Sequence, residues 1–371
     1  MYEDRFLELL YGIEERLHNF SRVSVRLKLP WGFRVFEVGS PRWFRGSGWS
    51  LYFVRKVGVS TLNACRELSR RLNSGRFTFA GLKDACSVSF QYVSFRSPRV
   101  KADSVDLGTV KAWLLGEGSP IALGSHLGNI FRITLEAEDP EGLLKTLSSI
   151  SMIPAFYGPQ RFGVHRPSTH LYGLSIARRE PGALAREFRY RYPLEPQHNL
   201  GLESRRLEEA LEGRDPWKLF KGTPRIYIEA LQAYLFNRAL SKAVRKKLLN
   251  EVRETIATIK YCNETVTVPV VRLPSPQLAT SKTKWAALVE EVAGEEGLKT
   301  RDLKGLTPSL RPLYFPLKIR SVNATRSNVV FTACLPPSAY ATILLRETVE
   351  LKVEGECLNI PTLGEEGPIS Y

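Results

Sequence analysis

A short stretch of this chain displays a carboxylate beside an amine, between two segments that alternate as strands do. It spans residues 77–84, reads Phe-Thr-Phe-Ala-Gly-Leu-Lys-Asp and ends in Lys83 and Asp84. The spacing of the two phenylalanines predicts a short strand with both rings on one side, and the glycine permits the bend that follows. A carboxylate on such a turn can act as a nucleophile. The same aspartate could instead cap the turn or a helix, which is the commoner structural use of this residue.

The segments before this turn predict the elements that hold it. Residues 51–56 form a predicted strand, and Thr61 is a suitable N-cap for a helix that runs through Leu72. Ala64, Leu68 and Leu72 fall on one face of that helix, which delivers the chain to the strand before the Lys-Asp pair. Other predicted strands are residues 23–29, 33–38, 87–95 and 327–333.

Positive charge is concentrated around the same turn. The chain has a net charge of +15, and residues 22–101 contain sixteen Lys and Arg against three acids, so 16 − 3 = +13 lies in this segment. Such a field attracts polyanions. A generally basic background is the alternative, but the cations are interleaved with aromatic residues, which favours RNA binding. A helical stretch at residues 229–238 continues into the basic run 245–247, which fits a solvated helix face and an RNA contact equally well.

Length and hydropathy bound the class of protein. The 371 residues, 43% of them hydrophobic, suffice for two domains with their own cores. No window contains the roughly 18 apolar residues of a membrane helix. The acidic N-terminus lacks a secretory signal, so we expect a protein of the cytosol, or of the nucleus in a cell that has one, that contacts no membrane.

Cysteine and histidine spacing predicts neither disulfides nor a metal site. The five cysteines are scattered and form no Cys-x-x-Cys pair, so neither a disulfide framework nor a zinc knuckle is expected. His165 and His170 are five residues apart, which does not place them on one helical face. They are interpreted as surface or RNA-facing residues.

Residues 80–84, Ala-Gly-Leu-Lys-Asp, with Gln91 seven positions after Asp84, resemble the signature of the TruD family of tRNA pseudouridine synthases. Five further blocks resemble family motifs in the same order. Pro30, Phe33, Val35 and Glu37 match the motif Lys-x-x-Pro-x-Asp-Phe-x-Val-x-Glu, and residues 128–131 match Gly-Asn-x-Phe. Residues 157–163 resemble Phe-Gly-x-Gln-Arg-Phe-Gly, and residues 232–237 resemble Gln-Ala-x-Leu-Phe-Asn. Residues 335–347 resemble Leu-Pro-x-Gly-Ser-Tyr-Ala-Thr followed by Leu-Leu-Arg-Glu.

The resemblance implies roles for the matching side chains. Asp84 would be the catalytic nucleophile. Phe131 would stack on the target base, although a phenylalanine in a strand is more often a core residue. Asn129 would hydrogen-bond to the base or to the turn that carries Asp84.

Four more residues complete the implied substrate site. They are Lys83, Phe33, Gln160 and Arg161. The charge of Lys83 should favour the ionised form of Asp84. Gln160 and Arg161 would lie near a domain junction, where an arginine can pair with phosphate.

The resemblance also implies an α+β fold with two domains. Residues 1–163 and 312–371 would form a discontinuous catalytic domain around a pseudouridine-synthase-type antiparallel sheet. Residues 164–311 would form an inserted α/β domain specific to this family. RNA would then lie in the cleft between the domains, a favoured place for ligands in general.

The implied activity is isomerisation of uridine to pseudouridine in tRNA, at uridine 13 of the dihydrouridine arm. No metal and no cofactor are implied, and we expect a monomer. Two alternatives stay open: the same chemistry on another tRNA or RNA uridine, and a catalytically silent RNA-binding protein.

Three polar residues of the family pattern are missing near the implied site. Leu27 occupies the Lys position, Gly32 the Asp position, and Ala85 follows Asp84 where many relatives have Arg or Lys. Arg26 or Lys28 could supply the charge from one residue away, although such a shift along a strand changes the face. None of the losses removes a group that the chemistry requires, so we expect an active enzyme.

Overall fold

A computed structural model describes residues 4–163, 166–190, 192, 212, 224–306 and 308–355. The helices are α1 (Asp4–Leu10), α2 (Thr61–Leu72), α3 (Pro140–Ser149), α4 (Thr169–Arg178), α5 (Pro181–Arg189), α6 (Pro224–Arg245), α7 (Lys284–Glu295) and α8 (Ala341–Thr348). The strands are β1 (Val23–Lys28), β2 (Phe33–Glu37), β3 (Trp49–Val57), β4 (Phe77–Phe79), β5 (Val88–Arg96), β6 (Ser104–Asp106), β7 (Val110–Gly118), β8 (Asn129–Ala137), β9 (Met152–Pro154), β10 (Thr255–Tyr261), β11 (Glu264–Arg272), β12 (Leu310–Pro312), β13 (Tyr314–Pro316), β14 (Lys318–Ala324), β15 (Asn328–Leu335) and β16 (Val349–Glu354).

One sheet of 11 strands organises the molecule. Its central order is β14-β15-β8-β2-β5-β3-β7-β6, with β4 paired to β5, and with β1 paired to both β8 and β16. The pairs β1–β16 and β2–β5 are parallel, and the other described pairs are antiparallel. The strands come from residues 23–137 and 318–354, so two distant stretches of the chain build one sheet. The predicted α+β fold with an antiparallel-rich sheet is confirmed.

The two larger cores of this sheet lie on one face, which we call the covered face. Leu68 of α2 packs there against Val93 and Phe95 of β5. Farther along the sheet, Ile133 of β8 shares a second core with Leu143 of α3 and with side chains of α8. Strand residues alternate between faces, so side chains on this face of β2, β3, β5 and β8 point towards the helices. Smaller buried clusters, one with Leu51 and one beside Ile130, lie on the other face.

A third large core lies among the helices of the middle of the chain, and flanking side chains such as Tyr11, Phe162 and Ile343 pack into it. Helices α4, α5, α6 and α7 surround it, and Phe236 and Trp285 lie at its centre, both buried. A three-stranded sheet, β10-β11-β12, completes this part. The basic end of α6 forms ion pairs within the protein: Arg245 pairs with Glu14 and Glu15, and Lys246 pairs with Glu291. The boundaries at residues 164 and 311 stay a prediction.

Two local expectations were wrong. Helix α2 is capped by Ser60, whose Oγ accepts the Asn63 N–H at 3.2 Å, and not by Thr61. His170 does not face the surface or RNA: it is 1% exposed and stacks on Tyr234, and burial lowers its pKa to about 3. His165 lies outside the described residues.

The cysteine prediction was also wrong. A disulfide joins Cys262, at the tip of the β10–β11 hairpin, to Cys334 of β15, with Cα atoms 6.5 Å apart. The residues are 72 positions apart, a separation that carries no local signal. Cys262 N also donates to Leu127 O at 2.8 Å, so the hairpin tip sits beside the start of β8.

Within the described ranges, no helix combines the length and apolar character needed to cross a membrane.

Candidate active site

The turn that carries Asp84 lies between β4 and β5 and is held by hydrogen bonds to its own backbone. The Asp84 carbonyl accepts from Lys56 Nζ at 2.6 Å and from Ser87 Oγ at 2.7 Å. Its Oδ1 accepts from the Cys86 N–H at 2.9 Å. Thr61, at the start of α2, accepts the Lys83 N–H at 2.9 Å. The carboxylate therefore sits on a backbone that β3 and α2 both fix in place.

Lys56 is the residue beneath the turn. It is 0% exposed, and its ammonium also donates to the Val59 carbonyl at 2.9 Å. Burial lowers its pKa to about 7, an effect that the nearby Asp84 charge opposes. We predicted only a strand here and missed this role. The signal was present, because Tyr52, Val54 and Lys56 share the covered face, and a lysine on a core-facing position needs a partner.

Lys83 forms a buried ion pair with Glu37. Its Nζ lies 2.5 Å from Glu37 Oε2, and both side chains are almost fully enclosed. The other carboxylate oxygen of Glu37 accepts the Tyr92 N–H at 3.1 Å. This ion pair between Lys83 and Glu37 joins the Asp84 turn to β2.

Asn129 is paired with a histidine that sequence reasoning missed. Asn129 Nδ2 lies 3.3 Å from His126 Nε2, and both residues are buried. Burial, and then the Lys83 charge, lower the His126 pKa to about 4, so the ring is neutral at pH 7. With Nε2 as acceptor, the proton is on Nδ1. His126 Nδ1 and Asn129 Oδ1 make no hydrogen bond within the described protein.

Phe131 and Phe33 form an aromatic pair on the covered face. Their ring centroids are 5.8 Å apart with an interplanar angle of 54°, and Phe131 is 7% exposed. Phe131 belongs to the same core cluster as Val35 and Ile133. It is therefore a core side chain in the free protein, beside the strand position that carries Asn129.

Gln160 and Arg161 lie at different places. Gln160 Nε2 is 3.4 Å from Asp84 Oδ2, so the glutamine reaches the turn from the loop after β9. Arg161 pairs with Glu229 of α6 at 3.0 Å, at the junction between the sheet and the helical part. The structure thus brings Gln160 to Asp84 and directs Arg161 to the junction.

The missing polar residues are not replaced by their neighbours. Leu27 is buried with the covered-face core. Arg26 and Lys28 both pair with Glu136, at 2.7 and 2.8 Å, on the opposite face of the sheet. The alternation along the strand explains this result, since a shift by one residue moves the side chain to the other face.

Gly32 has no room for the aspartate of the family pattern. An added Cβ would lie 2.7 Å from Lys28 O and 3.2 Å from Thr134 O, both backbone atoms. We expect Gly32→Asp to lower the free energy of unfolding by about 1 to 3 kcal/mol, as overpacking does. Denaturant unfolding measures this. Gly75→Asp is the control, because no atom lies within 4 Å of an added Cβ there. Equal stability of the two variants would contradict the prediction.

A sequence model of the family described as tRNA pseudouridine synthase D (TruD) matches residues 12–225 and 199–348, which is most of the chain. The chain belongs to the TruD family. Membership places it among the pseudouridine synthases, which are isomerases. The resemblance inferred from short motifs is thereby confirmed.

Curated members of the TruD family match along nearly their whole length. A protein of Sulfurisphaera tokodaii described as probable tRNA pseudouridine synthase D is 28% identical, over 91% of this chain and 97% of its own. One of Pyrococcus abyssi with the same description is 27% identical, over 92% and 99%. A crystal structure described as tRNA pseudouridine synthase D (TruD) from Methanosarcina mazei matches with a TM-score of 0.68 and 19% identity, over 93% of this chain and 98% of that one. It shows the shared fold.

Proposed function

We propose that this TruD-family chain isomerises uridine to pseudouridine in tRNA, with Asp84 as the nucleophile. The observation that carries the proposal is the Asp84 turn. Lys56 and Ser87 hold the Asp84 carbonyl, and the Cys86 N–H holds the half-buried carboxylate. Lys83 ties the turn to Glu37 of β2, the strand next to the family's Asn-x-Phe strand β8. A carboxylate can add to a carbon centre and later leave.

The reaction needs no net input of atoms. The Asp84 carboxylate adds to C1′ of the target uridine while the bond from C1′ to N1 breaks, and the electron pair leaves with the uracil. The uracil rotates, and C5 attacks C1′ as the carboxylate departs. The C5 proton is then lost and N1 gains one, so the product is an isomer. Assistance of glycal formation by the same carboxylate is the alternative first step.

The polar atoms that stay unpaired suit a uracil. His126 Nδ1–H is a donor and Asn129 Oδ1 an acceptor, both buried. Uracil offers a carbonyl acceptor next to the N3–H donor, so the two groups match one edge of the base. A buried polar atom without a partner is costly, and a bound base would remove that cost. His126 and Asn129 are therefore assigned to hold the uracil.

Phe131 is proposed to stack on the base once the base enters. Extracting a nucleotide from its stack costs a few kcal/mol, and stacking on an aromatic ring returns about 1 to 3 kcal/mol. Phe131 is nearly enclosed, so Phe33 must yield space for this to happen. Gln160 would then orient the Asp84 carboxylate from the other side.

The choice of tRNA as the substrate rests on the charge of the chain and on its family. A net charge of +15 favours a polyanion, and the relatives are described as tRNA-modifying enzymes. We assign uridine 13 as the target, with the tRNA between the catalytic part and an inserted domain of residues 164–311. A cytosolic monomer acting without cofactor completes the proposal.

Pseudouridine mapping on tRNA tests this function. Total tRNA and a single transcript are incubated with the protein, and a transcript with cytidine at position 13 is the control. Conversion of uridine 13 alone supports the full proposal. Conversion at another position would support the proposed reaction and contradict uridine 13 as its target. No conversion, with RNA still bound tightly, would leave an RNA-binding protein and overturn the enzymatic proposal.

A further inference from the structure

The face of the large sheet opposite the covered face carries a continuous row of aromatic rings. Phe36 of β2 stacks on Phe90 of β5, with centroids 4.7 Å apart. Phe53 of β3 lies 5.9 Å from Phe90 and 6.5 Å from Trp113 of β7. These four residues, which we call the aromatic row, cross four neighbouring strands.

The aromatic row adjoins a small buried cluster and is not enclosed by it: Phe53 contacts Tyr92 at 5.2 Å between ring centroids, and Tyr92 packs against the buried Trp43. Phe36, Phe53 and Phe90 are half-buried, and Trp113 is 39% exposed. None of the four belongs to a hydrophobic cluster of the described residues. Aromatic residues paired across strands do stabilise a sheet, so the row alone does not require a ligand.

The cations around the aromatic row do not fit that explanation. Arg34 of β2 stands directly opposite Arg132 of β8, and Arg55 of β3 directly opposite Lys111 of β7. Like charges directly opposite each other destabilise a sheet. Lys111 pairs with Asp106 at 2.6 Å. In the described part of the chain the three arginines form no ion pair, and Arg34 donates only to the Trp31 carbonyl.

We propose that this face binds a single-stranded segment of RNA, with bases on the aromatic row and phosphates on Arg34, Arg55 and Arg132. Aromatic rings on a four-stranded sheet can stack two or three bases, and arginines beside them neutralise the backbone. A protein partner would have to present carboxylates to these arginines, and only the positive charge of the face would favour such a partner. Binding here goes beyond the isomerisation, because Asp84 belongs to the turn above the covered face.

Two double variants separate stacking from charge. Phe53→Leu with Trp113→Leu removes two rings and keeps apolar side chains. Arg34→Gln with Arg132→Gln removes one like-charge pair. The probe is a labelled oligoadenylate of about twelve nucleotides, within the range of known single-strand sites. It contains no uridine, so it cannot be a substrate, and fluorescence anisotropy reports its dissociation constant.

The ring variant should weaken binding about tenfold. The arginine variant should weaken binding and reduce the salt slope by about 1.4, at about 0.7 per phosphate contact. Its unfolding temperature should not fall, because a repulsive pair is removed. Lys284→Gln with Arg245→Gln removes two exposed cations that pair with Glu251 and with Glu14 and Glu15, and it should leave the affinity unchanged.

Unchanged affinity in both double variants would overturn the proposal. Loss in the arginine variant alone would overturn the stacking part. Asp84→Asn should bind the probe like the wild type whatever the outcome for catalysis. Failure of this proposal and failure of the proposed enzymatic function are therefore distinguishable.

Discussion

Asp84→Asn should abolish pseudouridine formation, lowering the single-turnover rate by at least about 10³-fold, as removal of a covalent nucleophile does. Asparagine keeps the shape of the side chain, and its Oδ1 can still accept the Cys86 N–H. It cannot add to C1′ as a carboxylate does. Affinity for tRNA should stay within a few-fold, because the phosphate-binding cations are untouched. Mapping of pseudouridine after one turnover is the measurement.

The matched control for this change is Asp103→Asn. Asp103 is exposed and lies outside the described site, so its loss of charge should leave the rate as in wild type. An Asp84→Asn enzyme with an undiminished rate would remove Asp84 from the chemistry. A variant that loses rate and tRNA affinity together would instead point to a disturbed binding surface.

Lys56→Met should lower the rate at saturating tRNA by about 10²-fold, with tRNA affinity changed little. Methionine fills a similar volume and cannot donate, so the carbonyls of Asp84 and Val59 lose a buried donor. Loss of a buried donor costs about 1 to 3 kcal/mol. The Asp84 carbonyl keeps its hydrogen bond from Ser87 Oγ, but the turn loses its tie to β3 and can move. A displacement of about 1 Å in a catalytic group is enough for a 10²-fold loss. Single-turnover kinetics and the unfolding temperature are both measured.

Lys101→Met controls for the loss of a lysine. Lys101 is exposed and pairs with Glu117 on the surface, an interaction of small energetic value. If Lys56→Met recovers the full rate at temperatures where it is completely folded, then Lys56 contributes to stability alone. A rate deficit that persists in the folded variant supports its role in positioning Asp84.

Local patterns predicted the parts of this site that are contiguous in sequence. The Asp84 turn, the Asn129–Phe131 pattern and the span of α2 follow from spacing and from the family motifs. Alternation also explains why Arg26 and Lys28 cannot replace the lysine missing at Leu27.

The contacts between these parts could not be predicted, because strand pairing decides them. Lys56 is 28 residues from Asp84, and Glu37 is 46 residues from Lys83. Whether such side chains meet depends on the order and register of strands in the sheet, which periodicity does not encode. His126 was missed for another reason: it is three residues from Asn129 but lies before β8 begins, where strand periodicity gives no side-chain direction.

The Cys262–Cys334 disulfide limits the relative movement of two parts of the chain. It fixes the tip of the β10–β11 hairpin to β15, at the corner of the sheet where β8 begins with Asn129. The hairpin tip and this corner of the sheet cannot separate while the bond is intact. The disulfide therefore limits how far the three-stranded sheet β10-β11-β12 can move relative to the large sheet.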